Sequence, residues 1–309
     1  MPATTATLIA CAACALVAAA CGPAVRPNVP PAEPEPITRR VVEAPVSPNG
    51  RQVVVGEMCP QGAGGRPAVA PLVMRGVGWI DATSEVAATV ERGQVPRFFV
   101  LGVDGKVAGA FDTLGIVEVG IAQPVATGTY VGGAPCTRAG ATSTDPRIED
   151  PGCIAATHGC GLAIGEITAP DDPPPTASFA TGGACMSGDE LAVDIDGDGR
   201  IESFPIAGAL DGIRAPAAEW SASPTAAAAC TPVFQIYNLR LAPEPRPGRP
   251  AEKGVVVVDV LGVMDLDNDG RRELILAMRF PTVRTIVVYT ATGTAQRLAL
   301  AGEATGFAK

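Results

Sequence analysis

Two short acidic stretches hold the side chains of this sequence that are best placed to do chemistry. The first acidic turn is DIDGDGRIE, residues 194–202, and the second acidic turn is DLDNDGRRE, residues 265–273. Each has aspartate at positions 1, 3 and 5, and a loop that curls around a cation can point all three carboxylates inward. Hard oxygen ligands suit Ca²⁺, and carboxylates packed this closely repel one another without a cation. The pattern therefore predicts a calcium site in each turn.

The predicted ligands follow from their positions in the loop. Glycine at position 6 permits the sharp turn, residue 7 offers its main-chain carbonyl, and glutamate at position 9 completes the shell directly or through water. The candidate metal-binding residues are Asp194, Asp196, Asp198, Arg200 and Glu202 in the first turn and Asp265, Asp267, Asp269, Arg271 and Glu273 in the second.

The motif differs from an EF-hand, in which a bidentate glutamate stands at position 12 before a helix. Position 12 is Pro205 in the first copy and Leu276 in the second, and strand-like residues follow both turns. The pattern DxDxDGxxE between strands resembles the FG-GAP/VCBS repeats of integrin-α-type β-propellers and many bacterial surface proteins. The apolar residues Ile195 and Leu266 match that family as well. The resemblance covers about 30 residues per copy, and it implies a turn between neighbouring strands that calcium stiffens.

The elements that must position these turns are predicted to be strands. The chain has 36 glycines and 30 prolines but only 4% aromatic residues, which favours many short strands and turns over long helices. We expect an all-β fold of short antiparallel strands, either partial or divergent β-propeller-like blades or a β-sandwich. Hairpin turns are predicted at Asp104-Gly105 and Thr292-Gly293, and residues 82–92 form the one plausible helix.

Proline-rich breaks divide the chain into regions. The breaks APDDPPP at 169–175 and APEPRPGRP at 242–250 interrupt β-like runs. We therefore expect an N-terminal β region at 51–168 and a C-terminal β region at 177–309, the second carrying both acidic turns.

The N-terminus is predicted to be a targeting signal, residues 1–20. LIACAACALVAAACGP holds an apolar run of about 13 residues, which is too short to span a bilayer and has the length of a signal-peptide core. The run ends in small residues and Cys21, which resembles the lipobox of bacterial lipoproteins and implies lipidation of Cys21. LIAC at Leu8–Cys11 is an alternative lipobox, and an ordinary secretory signal is the other reading.

The segment behind Cys21 is predicted to be a disordered spacer. Residues 21–50 are rich in proline and poor in apolar residues, so they should stay extended and unpacked. A spacer behind an acylated cysteine is the layout of a protein tethered to a membrane. In the lipoproteins that this segment resembles, Gly22 is compatible with delivery to the outer membrane, on its periplasmic face or at the cell surface.

Six cysteines follow Cys21, an even number that predicts up to three disulfides in an exported protein. We favour two pairs, Cys153 with Cys160, which would close a short loop, and Cys185 with Cys230, which flank the first acidic turn; this leaves Cys59 and Cys136. A zinc site at Cys153, His158 and Cys160 is the alternative, although it lacks a CxxC pair and a second nearby histidine.

Catalytic signatures are scarce in this sequence. It has one histidine and lacks GxSxG, HExxH, Walker and dinucleotide motifs, and its acidic pairs, such as Asp171-Asp172 and Asp189-Glu190, are typical of solvated turns. The net charge of −9 argues against a nucleic-acid binder, which would normally have a basic face. We expect a calcium-stabilised lipoprotein of the cell envelope that binds or scaffolds a protein or glycan, rather than an enzyme. The alternative is a tethered extracytoplasmic hydrolase.

Overall fold

Antiparallel strands make up most of the chain, so the predicted all-β class is confirmed. The computed structural model describes residues 52–305, except for 64, 76–77, 92, 103, 120–122, 134–160, 169–179, 213–214, 225–229, 242–255 and 281–282. The predicted signal, Cys21 and the spacer lie outside the described residues.

The N-terminal β region closes into a six-stranded barrel. Its strands are β1 (Gln52–Ala63), β2 (Arg66–Arg75), β4 (Val95–Leu101), β5 (Val107–Val119), β6 (Gln123–Gly132) and β7 (Gly161–Thr168). They follow the order β1-β7-β4-β5-β6-β2, and β2 pairs with β1 to complete the ring. Closure leaves none of these six strands at an open sheet edge. This region is therefore a closed barrel, whereas the composition suggested propeller-like blades or a β-sandwich.

A short strand and a helix cover one side of the barrel. The strand β3 (Trp79–Asp81) pairs with β2, and the helix α1 (Ala82–Glu91) follows it directly. Asp81 caps this helix, because its Oδ1 accepts a hydrogen bond of 2.8 Å from the main-chain N–H of Thr83. Ala82, Val86 and Thr89 form the buried face of α1. The helix predicted at 82–92 is therefore confirmed.

The C-terminal β region forms two sheets. The larger runs in the order β12 (Glu219–Ser221), β17 (Arg297–Thr305), β16 (Arg284–Ala291), β15 (Glu273–Arg279), β14 (Val256–Asp265) and β13 (Ile236–Leu241), and β8 (Ala180–Thr181) pairs with β14. The smaller consists of β9 (Ala184–Ser187), β10 (Glu190–Val193) and β11 (Glu202–Pro205). A 3₁₀ turn at Ile206–Ala209 follows β11. The larger sheet buries apolar side chains on both faces, because alternate residues of β15, such as Ile275 and Leu276, belong to different core clusters.

Apolar packing joins the barrel to the larger C-terminal sheet. One buried cluster combines barrel residues, such as Val55 and Leu72, with sheet residues, such as Met264 and Ile275. Trp220, which contacts the rings of Phe204 and Tyr289, lies in a second cluster inside the C-terminal region. Ile195 of the first acidic turn lies in the C-terminal cluster and Leu266 of the second lies in the shared cluster, so both turns rest on buried cores.

Both predicted hairpin turns are present. Asp104 and Gly105 connect β4 to β5, and Gly105 has the positive φ of 75° that such a turn requires. Thr292 and Gly293 lie between β16 and β17, where Gly293 has a φ of 68°. The sequence therefore predicts these local reversals correctly.

The predicted disulfide between Cys185 and Cys230 is confirmed. Cys59 is also disulfide-bonded. The other disulfide candidates, Cys136, Cys153 and Cys160, lie outside the described residues, as does His158 of the alternative zinc site.

Removal of the Cys185–Cys230 bridge should destabilise the protein. The bridge spans 45 residues, and cross-links of this kind stabilise by restricting the unfolded chain, by about 2–4 kcal/mol. We expect the double variant Cys185→Ala and Cys230→Ala to lose that free energy of unfolding in urea titrations under oxidising conditions. Equal stability of the two proteins would contradict the prediction.

Candidate metal centre

Each acidic turn joins two antiparallel strands. The first connects β10 to β11, with Val193 paired to Glu202, and the second connects β14 to β15, with Met264 paired to Glu273. The glutamate at position 9 is thus the first residue of the strand that follows. This placement matches the expectation that the motif lies between neighbouring strands.

The main chain of both turns adopts the same unusual conformations. Position 6 has positive φ in both copies, 85° at Gly199 and 90° at Gly270, as the sequence predicted from the glycine. Position 4 is also left-handed, with φ of 73° at Gly197 and 58° at Asn268. Glycine and asparagine tolerate this conformation better than other residues. The residue types at position 4 were therefore a signal that the sequence analysis did not use.

In the second turn, three aspartates converge. Asp265, Asp267 and Asp269 each offer a carboxylate oxygen, and these oxygens lie within 4.8 Å of one another. Asp265 also holds the loop closed, because its two oxygens accept main-chain hydrogen bonds from Asp269 at 3.1 Å and Gly270 at 2.9 Å. Burial raises the pKa of Asp265, although these hydrogen bonds oppose the shift.

Asp267 carries the clearest indication of a ligand. Its side chain is 3% exposed, and its Oδ2 accepts a 2.8 Å hydrogen bond from Nε of Arg75, at the end of β2 in the barrel. Its Oδ1 is buried without a hydrogen-bond partner. Buried polar atoms are nearly always satisfied in native proteins, so an orphaned carboxylate oxygen among other carboxylates fits a bound cation.

Glu273 lies outside the group of three and closes the turn. Its Oε2 accepts the main-chain N–H of Leu266 at 2.8 Å, and its Oε1 accepts the hydroxyl of Thr290 at 3.2 Å. Burial, with a contribution from the negative charges of Asp267, Asp269 and Asp265, raises the pKa of Glu273 to about 8. The carboxyl is therefore protonated near neutral pH unless a cation offsets the aspartates.

In the first turn, the converging group has a different composition. Asp194, Asp196 and Glu202 offer oxygens within 4.8 Å of one another, and all three are half-buried. Glu202 Oε2 also accepts the main-chain N–H of Ile195 at 3.0 Å, and burial raises its pKa. Asp198 lies outside this group, and its Oδ1 accepts the main-chain N–H of Arg200 at 2.7 Å.

The arginines at position 7 are placed similarly in both turns. Each donates its main-chain N–H to the aspartate at position 5 over 2.7 Å, Arg200 to Asp198 and Arg271 to Asp269. The Arg271 guanidinium also donates to the carbonyl of Gly293 at 3.2 Å. Their main-chain carbonyls remain predicted ligands.

The two turns lie side by side, and Arg272 of the second turn contacts the first. Its main-chain N–H donates to the carbonyl of Ile195 at 2.8 Å, and its Nη1 lies 2.9 Å from Oδ2 of Asp194. Neither Arg272 nor Arg75 was identified from the sequence as part of a site. Arg75 carries no local signal, whereas Arg272 stands inside the motif where the first copy has Ile201.

The acidic pair Asp189-Glu190 lies where the turn after β9 leads into β10. Glu190 Oε2 accepts the hydroxyl of Ser203 across the β10–β11 hairpin, and the Asp189 carbonyl accepts the N–H of Ile206 at 2.9 Å. Asp171 and Asp172 lie outside the described residues. A polar cleft of about 520 Å³ near the β16–β17 turn is lined by Ser221, Ala222, Thr292, Gly293, Thr294, Gln296 and Arg297, none of them a carboxylate.

Comparisons with protein families, with curated proteins and with solved structures found no match to this chain. Among the residues that the structure describes, none of the helices has the length and apolar character needed to cross a bilayer. The class of protein must therefore be inferred from the fold and the acidic turns themselves.

Proposed function

We propose that this chain is an exported lipoprotein, tethered to the cell envelope through Cys21, whose C-terminal β region is stabilised by calcium. Its role is to bind or scaffold another molecule rather than to catalyse a reaction. The observation that carries the proposal is the second acidic turn, where three carboxylates converge around the buried, unpartnered Oδ1 of Asp267.

The donor set favours calcium over other metals. The converging ligands are carboxylate oxygens, which suit hard cations, and thiolate and imidazole ligands of the kind that zinc prefers are missing from both groups of three. Calcium accepts irregular loops of oxygen ligands, whereas magnesium demands a near-ideal octahedron. Extracellular calcium modules bind at about 10⁻⁴–10⁻³ M, so occupancy of the turn should require millimolar calcium.

Calcium should raise the thermal stability of the purified protein. An ion that binds only the folded state at a concentration about ten to a hundred times its Kd stabilises by about 1.4–2.7 kcal/mol, which should raise Tm by several degrees. The measurement is thermal unfolding in calcium, in magnesium and in chelator. Asp269→Asn should abolish the shift, and Asp112→Asn, an exposed carboxylate on β5 of the barrel, should retain it. If neither calcium nor chelator changes the Tm, the metal assignment is wrong.

The tether can be tested separately with a clickable fatty acid in growing cells. Several acyl chains hold a protein stably on a membrane, so the wild-type protein should be labelled and should leave membranes only in detergent. Cys21→Ser should lose the label. A label that persists in this variant would indicate that Cys11 or Cys14 is modified instead. Absence of label in both proteins would indicate an ordinary secreted protein.

A further inference from the structure

The two acidic turns differ in charge at a single position. Their sequences, DIDGDGRIE and DLDNDGRRE, diverge at positions 2, 4 and 8, and only position 8 exchanges a neutral side chain for a charged one. Ile201 stands there in the first turn and is 40% exposed, whereas Arg272 stands there in the second and is half-buried. The guanidinium of Arg272 reaches the first turn.

Arg272 lies against the converging oxygens of the first turn. Its Nη1 is 2.7 Å from the carbonyl oxygen of Asp194 and 2.9 Å from Oδ2 of the same residue. A β-carbon built on Gly197, at position 4 of that turn, would lie 3.8 Å from Nη2. The guanidinium therefore extends from position 1 to position 4, and it brings a fixed positive charge to the place where an ion would bind.

The second turn also has an arginine contact, but it is smaller, because it involves one carboxylate oxygen of Asp267, whereas Arg272 contacts both the carbonyl and the carboxylate of Asp194. Arg75 donates through Nε to Oδ2 of Asp267, and Oδ1 of this 3%-exposed side chain remains buried without a partner. In the first turn, Oδ1 of Asp194 is also unpartnered, but the side chain of Asp194 is 22% exposed. A divalent ion among the oxygens of the first turn would face a guanidinium that extends over positions 1 to 4 of the same loop, where like charges repel strongly.

We propose that Arg272 serves as the cation of the first acidic turn, so that the chain binds one calcium ion, in the second turn, instead of two. This inference rests on the proposed calcium binding. It makes Arg272 the residue that determines how many ions the repeated motif holds. Loss of its charge leaves the oxygens of Asp194, Asp196 and Glu202 uncompensated, which converts the first turn into a second calcium site.

Counting the ions tests the inference. Full-length protein is dialysed to equilibrium against millimolar calcium, and bound calcium is measured by atomic absorption. We expect one ion per chain in the wild type and none in Asp269→Asn, which assigns that ion to the second turn. Arg272→Gln should bind two ions, and Asp196→Asn added to Arg272→Gln should return the count to one. Arg297→Gln, which removes an exposed positive charge from β17, should bind one ion like the wild type.

Each result has a defined meaning. Two ions in the wild type would overturn the role of Arg272 while leaving the calcium proposal intact, and zero ions would overturn both. A folded Arg272→Gln protein that still binds one ion would also overturn it, with folding judged by circular dichroism. If that variant does not fold, the wild-type and Asp269→Asn counts decide alone, because one ion and then none leaves the first turn without calcium.

Discussion

Without calcium, the protein should lose stability as the pH rises from about 4.5 to about 8. The carboxyl of Glu273 has an ordinary pKa of 4.5 when the chain is unfolded and a pKa of about 8 in the fold, chiefly because it is buried. Between these values the folded state keeps a proton that the unfolded state has released. Each pH unit then costs about 1.4 kcal/mol, up to about 5 kcal/mol in all, and the loss ends above the folded pKa.

The Glu273→Gln variant isolates this effect. Glutamine is neutral at every pH, and its side-chain oxygen can still accept the N–H of Leu266, as Oε2 does in the wild type. Urea unfolding in chelator should show a much flatter pH profile for the variant and a higher stability than wild type near pH 8. Calcium should flatten the wild-type profile too, because it offsets the negative charge of the aspartates. A wild-type profile that is already flat in chelator would show that Glu273 is ionised in the fold.

Replacement of Arg284 by methionine should destabilise the protein by about 3–5 kcal/mol. Nη1 of Arg284, on β16, lies 2.6 Å from the carboxylate of Glu57, on β1, and the two side chains are only 12% and 6% exposed. Removal of one partner from a buried pair leaves the other charge in a poorly solvated place, which costs far more than the pair itself contributes. This pair lies where the barrel meets the C-terminal sheet, so the loss weakens their joint packing.

Two further variants test whether the loss of stability comes from the burial of the ion pair. Glu57→Gln combined with Arg284→Met removes both charges and should recover part of the lost stability, which a double-mutant cycle measures. Arg97→Met breaks an ion pair with Asp112 in which the side chains are 36% and 54% exposed, and it should cost less than about 1 kcal/mol. If Arg284→Met and Arg97→Met lose the same free energy of unfolding, burial does not determine the cost of breaking the ion pair.

The features that the sequence predicted correctly are local ones. A hairpin at Asp104-Gly105 or a turn such as DLDNDGRRE is encoded by residues a few positions apart, because the left-handed main chain and the hydrogen bonds of the loop involve neighbours. The helix at α1 is local as well. The Cys185–Cys230 pair, which is 45 positions apart, was predicted because the two cysteines flank the first acidic turn in the sequence.

The features that the sequence did not reveal join distant residues. Closure of the barrel depends on the pairing of β1 with both β2 and β7, and a strand pattern does not state its partners. Arg75 reaches Asp267 across 192 positions, and Arg284 reaches Glu57 across 227. Isolated arginines of this kind look like ordinary surface residues in a sequence, so their pairing with the acidic turn and the barrel became evident only in three dimensions.

The closed barrel also affects how the fold responds to mechanical load. The strand β1 pairs with β7 from Gln52 to Met58 and with β2 from Val53 to Ala63, so it has hydrogen-bonded neighbours on both edges. Tension that enters through the chain before Gln52 is therefore shared between two ladders. The strand β12 pairs with β17 over three residues, Glu219–Ser221. A pull from the N-terminal side thus first meets a strand that is paired along both edges, so the barrel bears the load before the C-terminal sheets do.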